Sequence, residues 1–130
     1  MYVHKRVISA MLAGAFSLFG VSTVIYAEEH AKEAAEHLEQ AVESGKKGDA
    51  EGAAKHTEEA QQHAIEENKE RPYAQPPKAV TGENPKAEHD TKAFGEMKKA
   101  KKHAKKGHAK EASEAADKAA THLEEKEQSK

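Results

Sequence analysis

The sequence predicts an all-α fold, in which two tandem helical hairpins pack as a small antiparallel four-helix bundle after a cleaved signal peptide. Small apolar residues recur every three or four positions in four stretches, which is the spacing of one helix face. Glycines separate the first stretch from the second and the third from the fourth, whereas prolines separate the second from the third. These signals divide the chain into a signal peptide (1–27), a first hairpin (28–68), a proline-rich linker (69–88), a second hairpin (89–126) and a tail (127–130).

The N-terminal segment has the composition of an export signal. Lys5 and Arg6 precede a run of apolar and small residues that reaches Ile25, and Ala27 provides a small residue suited to a signal peptidase. We therefore expect cleavage after Ala27, a periplasmic or secreted location, and no stable membrane insertion afterwards. An uncleaved anchor is the alternative, because ~20 apolar residues can span a bilayer. The chain has no cysteine, which excludes disulfides and thiolate metal sites.

The exported part has little material for a hydrophobic core. It carries 19 basic and 23 acidic side chains, and alanine dominates its apolar residues. The large apolar side chains are Leu38, Val42, Ile65, Tyr73, Val80, Phe94, Met97 and Leu123. Each contributes only ~1.5–3 kcal/mol when fully buried. We expect marginal stability in the absence of a ligand, and stabilisation by any ligand that binds only the folded chain.

Capping residues and turn residues locate the helices. The first helix should end at Ser44-Gly45, and the second should begin after the N-cap Asp49. The third should begin near Asp90, and Gly107 should separate it from the fourth. A shift of 59 residues superimposes many alanines, glycines and histidines of the first hairpin on those of the second. This correspondence predicts an internal repeat.

The histidines are the strongest indication of function. Eight lie beyond the signal segment, and all occupy heptad position g, beside the alanine core positions. In antiparallel hairpins that position places them in four facing pairs, namely His30 with His63, His37 with His56, His89 with His122, and His103 with His108. Successive levels are seven residues apart, about 10.5 Å along a helix, so we expect the first hairpin to hold two stacked, separate sites.

Two carboxylates extend these pairs into candidate metal sites. Glu33 follows His30 by three residues, and Glu59 follows His56 by three, so each shares a helix face with its histidine. Imidazole-rich sites suit borderline divalent metals, with Cu(II) favoured and Ni(II) and Zn(II) possible. The predicted ligands are His30, His37, His56, His63, His89, His103, His108, His122, Glu33 and Glu59. The alternative is a solvated, charged helix face.

The two hairpins differ in charge. Residues 28–68 have a net charge of −8, whereas residues 69–130 have a net charge of +4. Glu96 and Ala115 stand where two more histidines would complete the pattern, and Lys92 and Lys118 lie near the outer histidine pair. Because like charge repels a cation, we expect the first hairpin to bind metal more tightly.

The stretch HAKEAAEHLEQAVESGKKGDAEGAAKHTEEAQQHA, residues 30–64, resembles the small metal-binding proteins of nitrifying bacteria. Gly45 and Gly48 match the Gly-x-x-Gly turn of that family, and the four histidines match its histidine positions. In the second half, Gly107 and four histidines persist, with Ala104 in place of the first glycine. The resemblance implies a secreted helical bundle that binds copper and other divalent metals in the periplasm.

Other function classes fit less well. A di-iron enzyme needs inward Glu-x-x-His pairs, which the exported part lacks, and no activated nucleophile is evident, so we expect no catalytic residues and no enzyme. The lysine run 98–106 has no interleaved aromatics, and export separates the chain from nucleic acid. Alanine faces are poor membrane anchors. The serious alternative is a structural or stress-protective helical protein, and the sequence indicates no protein partner.

Overall fold

The computed structural model describes residues 22–72 and 84–129, and the side chains among them from Tyr26 onward. It contains α1 (Ser22–Lys46), α2 (Ala50–Glu70), α3 (Pro85–Lys105) and α4 (Ala109–Gln128). Helices α1 and α2 form one hairpin and α3 and α4 the other, and the hairpins pack through α1 against α4 and α2 against α3. The predicted all-α four-helix bundle is confirmed.

The signal-peptide prediction lies mostly outside this described part, because residues 1–21 are not included in it. Its expected cleavage point, Ala27, lies within α1, where its side chain is buried. Among the described helices, none combines the length and apolar character needed to cross a bilayer.

Each hairpin turns through a glycine in the left-handed region of backbone space. Gly48 has φ +82° and Gly107 has φ +78°, conformations that other residues rarely adopt. Asp49 then caps α2 as predicted, because its Oδ1 accepts a hydrogen bond of 2.8 Å from the Gly52 amide. His108 occupies the corresponding position before α4, but its side chain makes no capping bond.

The predicted start of α3 at Asp90 is wrong. The helix begins at Pro85, and the Asn84 side chain caps it by accepting from the Ala87 amide at 3.2 Å. Proline is tolerated at the first helical position, since its missing amide hydrogen has no partner there in any helix. Residues 69–70 and 85–88 of the predicted linker are therefore helical, as are residues 127–128 of the predicted tail.

Alanine fills the core, as the heptad pattern predicts. Leu38, Met97 and Thr57 are the largest fully buried side chains, and most of the other core positions are alanine. Phe94 is only partly buried, and Ile65 is 39% exposed. Small side chains allow helices to approach closely but bury little apolar area. The core therefore contributes little hydrophobic stabilisation for its length.

The two hairpins approach each other closely at Gly45, where α1 meets α4. A Cβ at this position would lie 2.5 Å from the Ala109 carbonyl oxygen and 2.6 Å from Ser113 Cβ. Ser113 Oγ donates a hydrogen bond of 3.0 Å to the Val42 carbonyl at the same crossing. The first glycine of the Gly-x-x-Gly turn thus serves packing between hairpins, whereas Gly48 provides the turn itself.

A buried polar cluster joins the hairpins near the end opposite the turns. The Lys126 ammonium donates to Glu67 Oε2 at 2.9 Å, to Asn68 Oδ1 at 2.7 Å and to Asp90 Oδ1 at 3.1 Å. Asn68 also donates to Asp90 at 2.8 Å. Burial raises the pKa of Glu67, a shift that the hydrogen bond and charge of Lys126 oppose. Glu67 and Lys126 are 59 residues apart, so equivalent positions of the two hairpins carry opposite charges.

We expect Gly45→Ala to destabilise the protein by about 1–3 kcal/mol, because the added methyl group must push α4 away. Gly95→Ala is the matched control, since Gly95 is an exposed residue of α3 with open space around it. That change should stabilise the fold by about 0.5–1 kcal/mol through helix propensity. Urea unfolding followed by circular dichroism measures both. Equal effects of the two substitutions would contradict the close packing at Gly45.

We expect Lys126→Ala to cost about 3–5 kcal/mol in unfolding free energy, since it leaves buried carboxylates without their shared cation. Lys118→Ala, at an exposed position of the same helix, is the control and should change stability little. Thermal and urea unfolding report the difference. A small effect of Lys126→Ala would show that water or another cation replaces the ammonium easily.

Candidate metal centres

Three groups of side chains place histidine nitrogens and a carboxylate oxygen within 4.8 Å of one another. Each contains two histidines from facing helices of one hairpin and one glutamate, which lies three residues after one of them. The groups are His30, Glu33 and His63; His37, His56 and Glu59; and His89, His122 and Glu125.

In the group at the open end of the first hairpin, all three ligand atoms lie close together. The Nδ1 atoms of His30 and His63 are 3.1 Å apart, and Glu33 Oε2 lies 3.2 Å from the first and 2.9 Å from the second. Three donors bound at about 2.0–2.1 Å on one side of a metal ion stand roughly 2.9–3.4 Å apart. The group therefore needs little rearrangement to surround an ion.

The His30 ring also contacts a carboxylate through its other nitrogen. His30 Nε2 lies 3.5 Å from Glu66 Oε2. A metal-binding imidazole commonly has its second nitrogen next to a carboxylate, which orients the ring and raises its basicity. Glu66 was not among the predicted ligands, and its position suits this supporting role.

The second group lies nearer the turn of the same hairpin. Glu59 Oε2 is 3.3 Å from His37 Nδ1 and 3.1 Å from His56 Nδ1, and the two rings stack with centroids 5.8 Å apart. Glu59 thus contacts both histidines of this pair, one on its own helix and one on the facing helix. Like the first group, it combines two nitrogen donors with one oxygen donor.

The third group contains a residue that sequence reasoning missed. Glu125 Oε2 lies 3.0 Å from His89 Nδ1 and 2.9 Å from His122 Nδ1, and the rings are 6.1 Å apart. The hydrogen bond with His122 is the main reason that the pKa of Glu125 is lowered, which favours the ionised carboxylate. The His-x-x-Glu spacing of His122 and Glu125, which matches that of His30 and Glu33, could have identified it.

The fourth pair, His103 and His108, comes together without a carboxylate. The rings are 6.2 Å apart, and among the described residues no glutamate or aspartate joins them in a three-ligand group. His108 is exposed, and Lys105 and Lys106 stand between the two histidines in the chain. This pair has fewer donors and a more basic setting than the other three.

The structure therefore brings all four predicted histidine pairs face to face, and it joins Glu33 and Glu59 to the two pairs of the first hairpin. Seven of the eight histidines are neither buried nor exposed, and His108 is exposed. This is the environment expected of positions that border a helical core. The Nδ1 atoms of His37, His89 and His103 are themselves buried, so an ion reaches these donors only when side chains move.

A lysine replaces the carboxylate on the first helix of the second hairpin. Lys92 stands 59 residues after Glu33, and it pairs with Glu88 at 2.6 Å. The hydrogen bond from Lys92 to Glu88 raises the pKa of Lys92, so the ammonium stays charged beside His89. The carboxylate of this group comes instead from Glu125 on the opposite helix.

We expected the two histidine pairs of the first hairpin to form separate sites, but the structure brings them into contact. His37 and His63, which belong to different groups, stack with centroids 5.4 Å apart and ring planes 9° apart. Side chains on a helix lean toward its N-terminus, and the two helices run in opposite directions. His37 therefore leans away from the turn and His63 leans toward it, which brings their rings together.

Chemically, each of these groups offers two imidazole donors and one carboxylate donor with solvent on one side. Such N and O donors suit divalent transition metals, and the open side leaves positions for water or a further ligand. The described part of the chain shows no nucleophile held by a general base beside these groups. The arrangement is that of a class of small helical proteins that bind metal ions along their hairpins.

The family comparison agrees with this geometry. The family described as small metal-binding protein matches residues 5–126 of the chain. The chain belongs to that family, and its metal-binding character follows from both the match and the three groups. No curated protein and no solved structure matches the chain.

We expect Glu125→Gln to lower metal affinity at the third group by at least about tenfold, because it replaces the anionic donor shared by His89 and His122. Glu124→Gln, which alters the exposed neighbour, is the control and should leave that affinity unchanged. Calorimetric titration with Cu(II) should lose one binding step only in the first variant. Retention of every step in Glu125→Gln would remove Glu125 from the ligand set.

Proposed function

We propose that the protein binds and buffers divalent transition metals in the periplasm, with Cu(II) as the preferred ion and Ni(II) and Zn(II) as weaker ones. The observation that supports this proposal is the threefold recurrence of two histidines from facing helices with one glutamate. A single such group can arise in any charged helical surface, but three with the same His-x-x-Glu spacing require a common cause.

The preference for copper rests on donor chemistry. Affinity for nitrogen and oxygen donors rises along the first transition row toward Cu(II) and falls again at Zn(II). Cu(II) also accepts a tetragonal arrangement with a few strong ligands and weakly held waters. Groups with three protein donors and an open side suit that preference.

The cellular role follows from the position of the groups at the surface. Their histidines are about a quarter exposed, so we expect ions to enter and leave after side-chain movement, without unfolding of the bundle. Several accessible sites on one small chain suit reversible storage better than permanent structural binding. Export through the N-terminal segment would place this capacity in the periplasm, where incoming metal is first met.

Metal should stabilise the fold, because sites assembled from facing helices exist only in the folded chain. At a free ion concentration of 100 times Kd, one such site adds about 2.7 kcal/mol of stability. We expect the melting temperature to rise most with Cu(II), less with Ni(II) and Zn(II), and not at all with Mg(II). No shift at several equivalents of Cu(II) would favour a structural or stress-protective role without metal.

The hairpins should differ in affinity. His37→Ala with His56→Ala should abolish one of the two Cu(II) steps of the acidic hairpin, because the second group loses both nitrogen donors. His103→Ala with His108→Ala should remove a step at least about tenfold weaker, since that pair lacks a carboxylate and stands among lysines. Calorimetry on the two double variants makes the comparison. Equal losses would contradict the role assigned to the glutamates and to the charge difference.

A further inference from the structure

The histidines of the first hairpin form one continuous row rather than two separate pairs. Ring centroids are 5.4 Å apart between His30 and His63, 5.4 Å between His63 and His37, and 5.8 Å between His37 and His56. The middle contact joins the two metal-binding groups. It is as close as the contacts within each group.

The second hairpin provides an internal comparison. Glu96 and Ala115 stand 59 residues after His37 and His56. Each histidine pair of the second hairpin therefore has its own ring contact, His89 with His122 and His103 with His108. Among the described residues, no ring contact links one pair to the other. The two hairpins share one backbone plan but differ in whether their histidines are continuous.

We propose that the first hairpin is a single two-ion array, in which the stacked rings of His37 and His63 couple an ion at one group to an ion at the other. This inference rests on the proposed metal binding and concerns how the two groups act together. Each group brings a single glutamate, which balances only half the charge of a divalent ion. Glu33 contacts His63 and Glu59 contacts His37, so each stacked ring is held by the glutamate of its own group.

The coupling should be anticooperative. A bound ion and its glutamate carry a net charge of about +1, and two such charges at neighbouring, partly buried groups repel each other, which weakens the second binding step by about tenfold. The first ion would be held firmly and the second would exchange readily. Such an array keeps a loaded protein able to release one ion while retaining the other.

The test compares two variants that each keep four histidines and two complete groups. In the array variant, His89, His103, His108 and His122 are replaced by alanine. In the separated variant, His37, His56, His103 and His108 are replaced, which leaves one group in each hairpin. All these imidazoles are only partly buried or exposed, so the core is unchanged. A second pair of variants with glutamine instead of alanine keeps polar side chains on the same faces.

Each variant is titrated with CuCl₂ by calorimetry and examined by electron paramagnetic resonance at one and two equivalents. The array variant should show two steps separated by about tenfold, and at two equivalents a broadened spectrum with a half-field signal from interacting spins. The separated variant should show no half-field signal, and its two steps should differ only through the difference in charge between the hairpins. Two similar steps without spin interaction in the array variant would overturn the array but leave metal binding intact. Failure of both variants to bind copper would instead refute the proposed function.

Discussion

The antiparallel register of each hairpin is the constraint on which the rest of the structure depends. Gly48 and Gly107 hold that register, because each adopts a positive φ at the tip of its turn. Once it is set, alanines at core positions meet across the hairpin, and histidines beside them meet as well. A slip of one residue would rotate these histidines around the helix by about 100°, and no two-histidine group would survive. The turns therefore determine the metal chemistry, although they lie outside every group.

The two hairpins share the same helical arrangement but differ in the side chains that surround their histidines. In the first, Glu33 and Glu59 complete two groups and the histidines are continuous. In the second, a single group is completed by Glu125 on α4. Lys92 and Lys118 stand at the positions that correspond to Glu33 and Glu59. The same divergence holds the hairpins together, because Lys126 stands 59 residues after Glu67 and the two side chains pair in the interior. Identical hairpins would place two like charges there. The difference in charge thus joins the two hairpins at this cluster, and we expect it to make the group of the second hairpin the weaker metal site.

Periodicity and capping were enough to predict the four helices, the antiparallel arrangement and the facing histidines. These features depend on local spacing, which the sequence displays directly. Asp90 was misread as a cap because its part in the buried Lys126 cluster depends on packing between hairpins. Glu125 escaped notice since Lys92 replaced the expected glutamate and the compensating carboxylate came from another helix. The stacking of His37 on His63 depends on the tilt of side chains toward the N-terminus of each of two antiparallel helices. Heptad positions alone do not describe that tilt.

The central claim is that histidines from facing helices, with one glutamate, hold a divalent metal ion. X-ray absorption of the protein loaded with one equivalent of Cu(II) measures the ligands directly. The account predicts two imidazoles for each copper, together with oxygen donors at equatorial distances. The same measurement on the protein with all eight histidines of residues 30–122 replaced by alanine should show oxygen donors alone. A spectrum of the unaltered protein with one imidazole or none for each copper would contradict the claim.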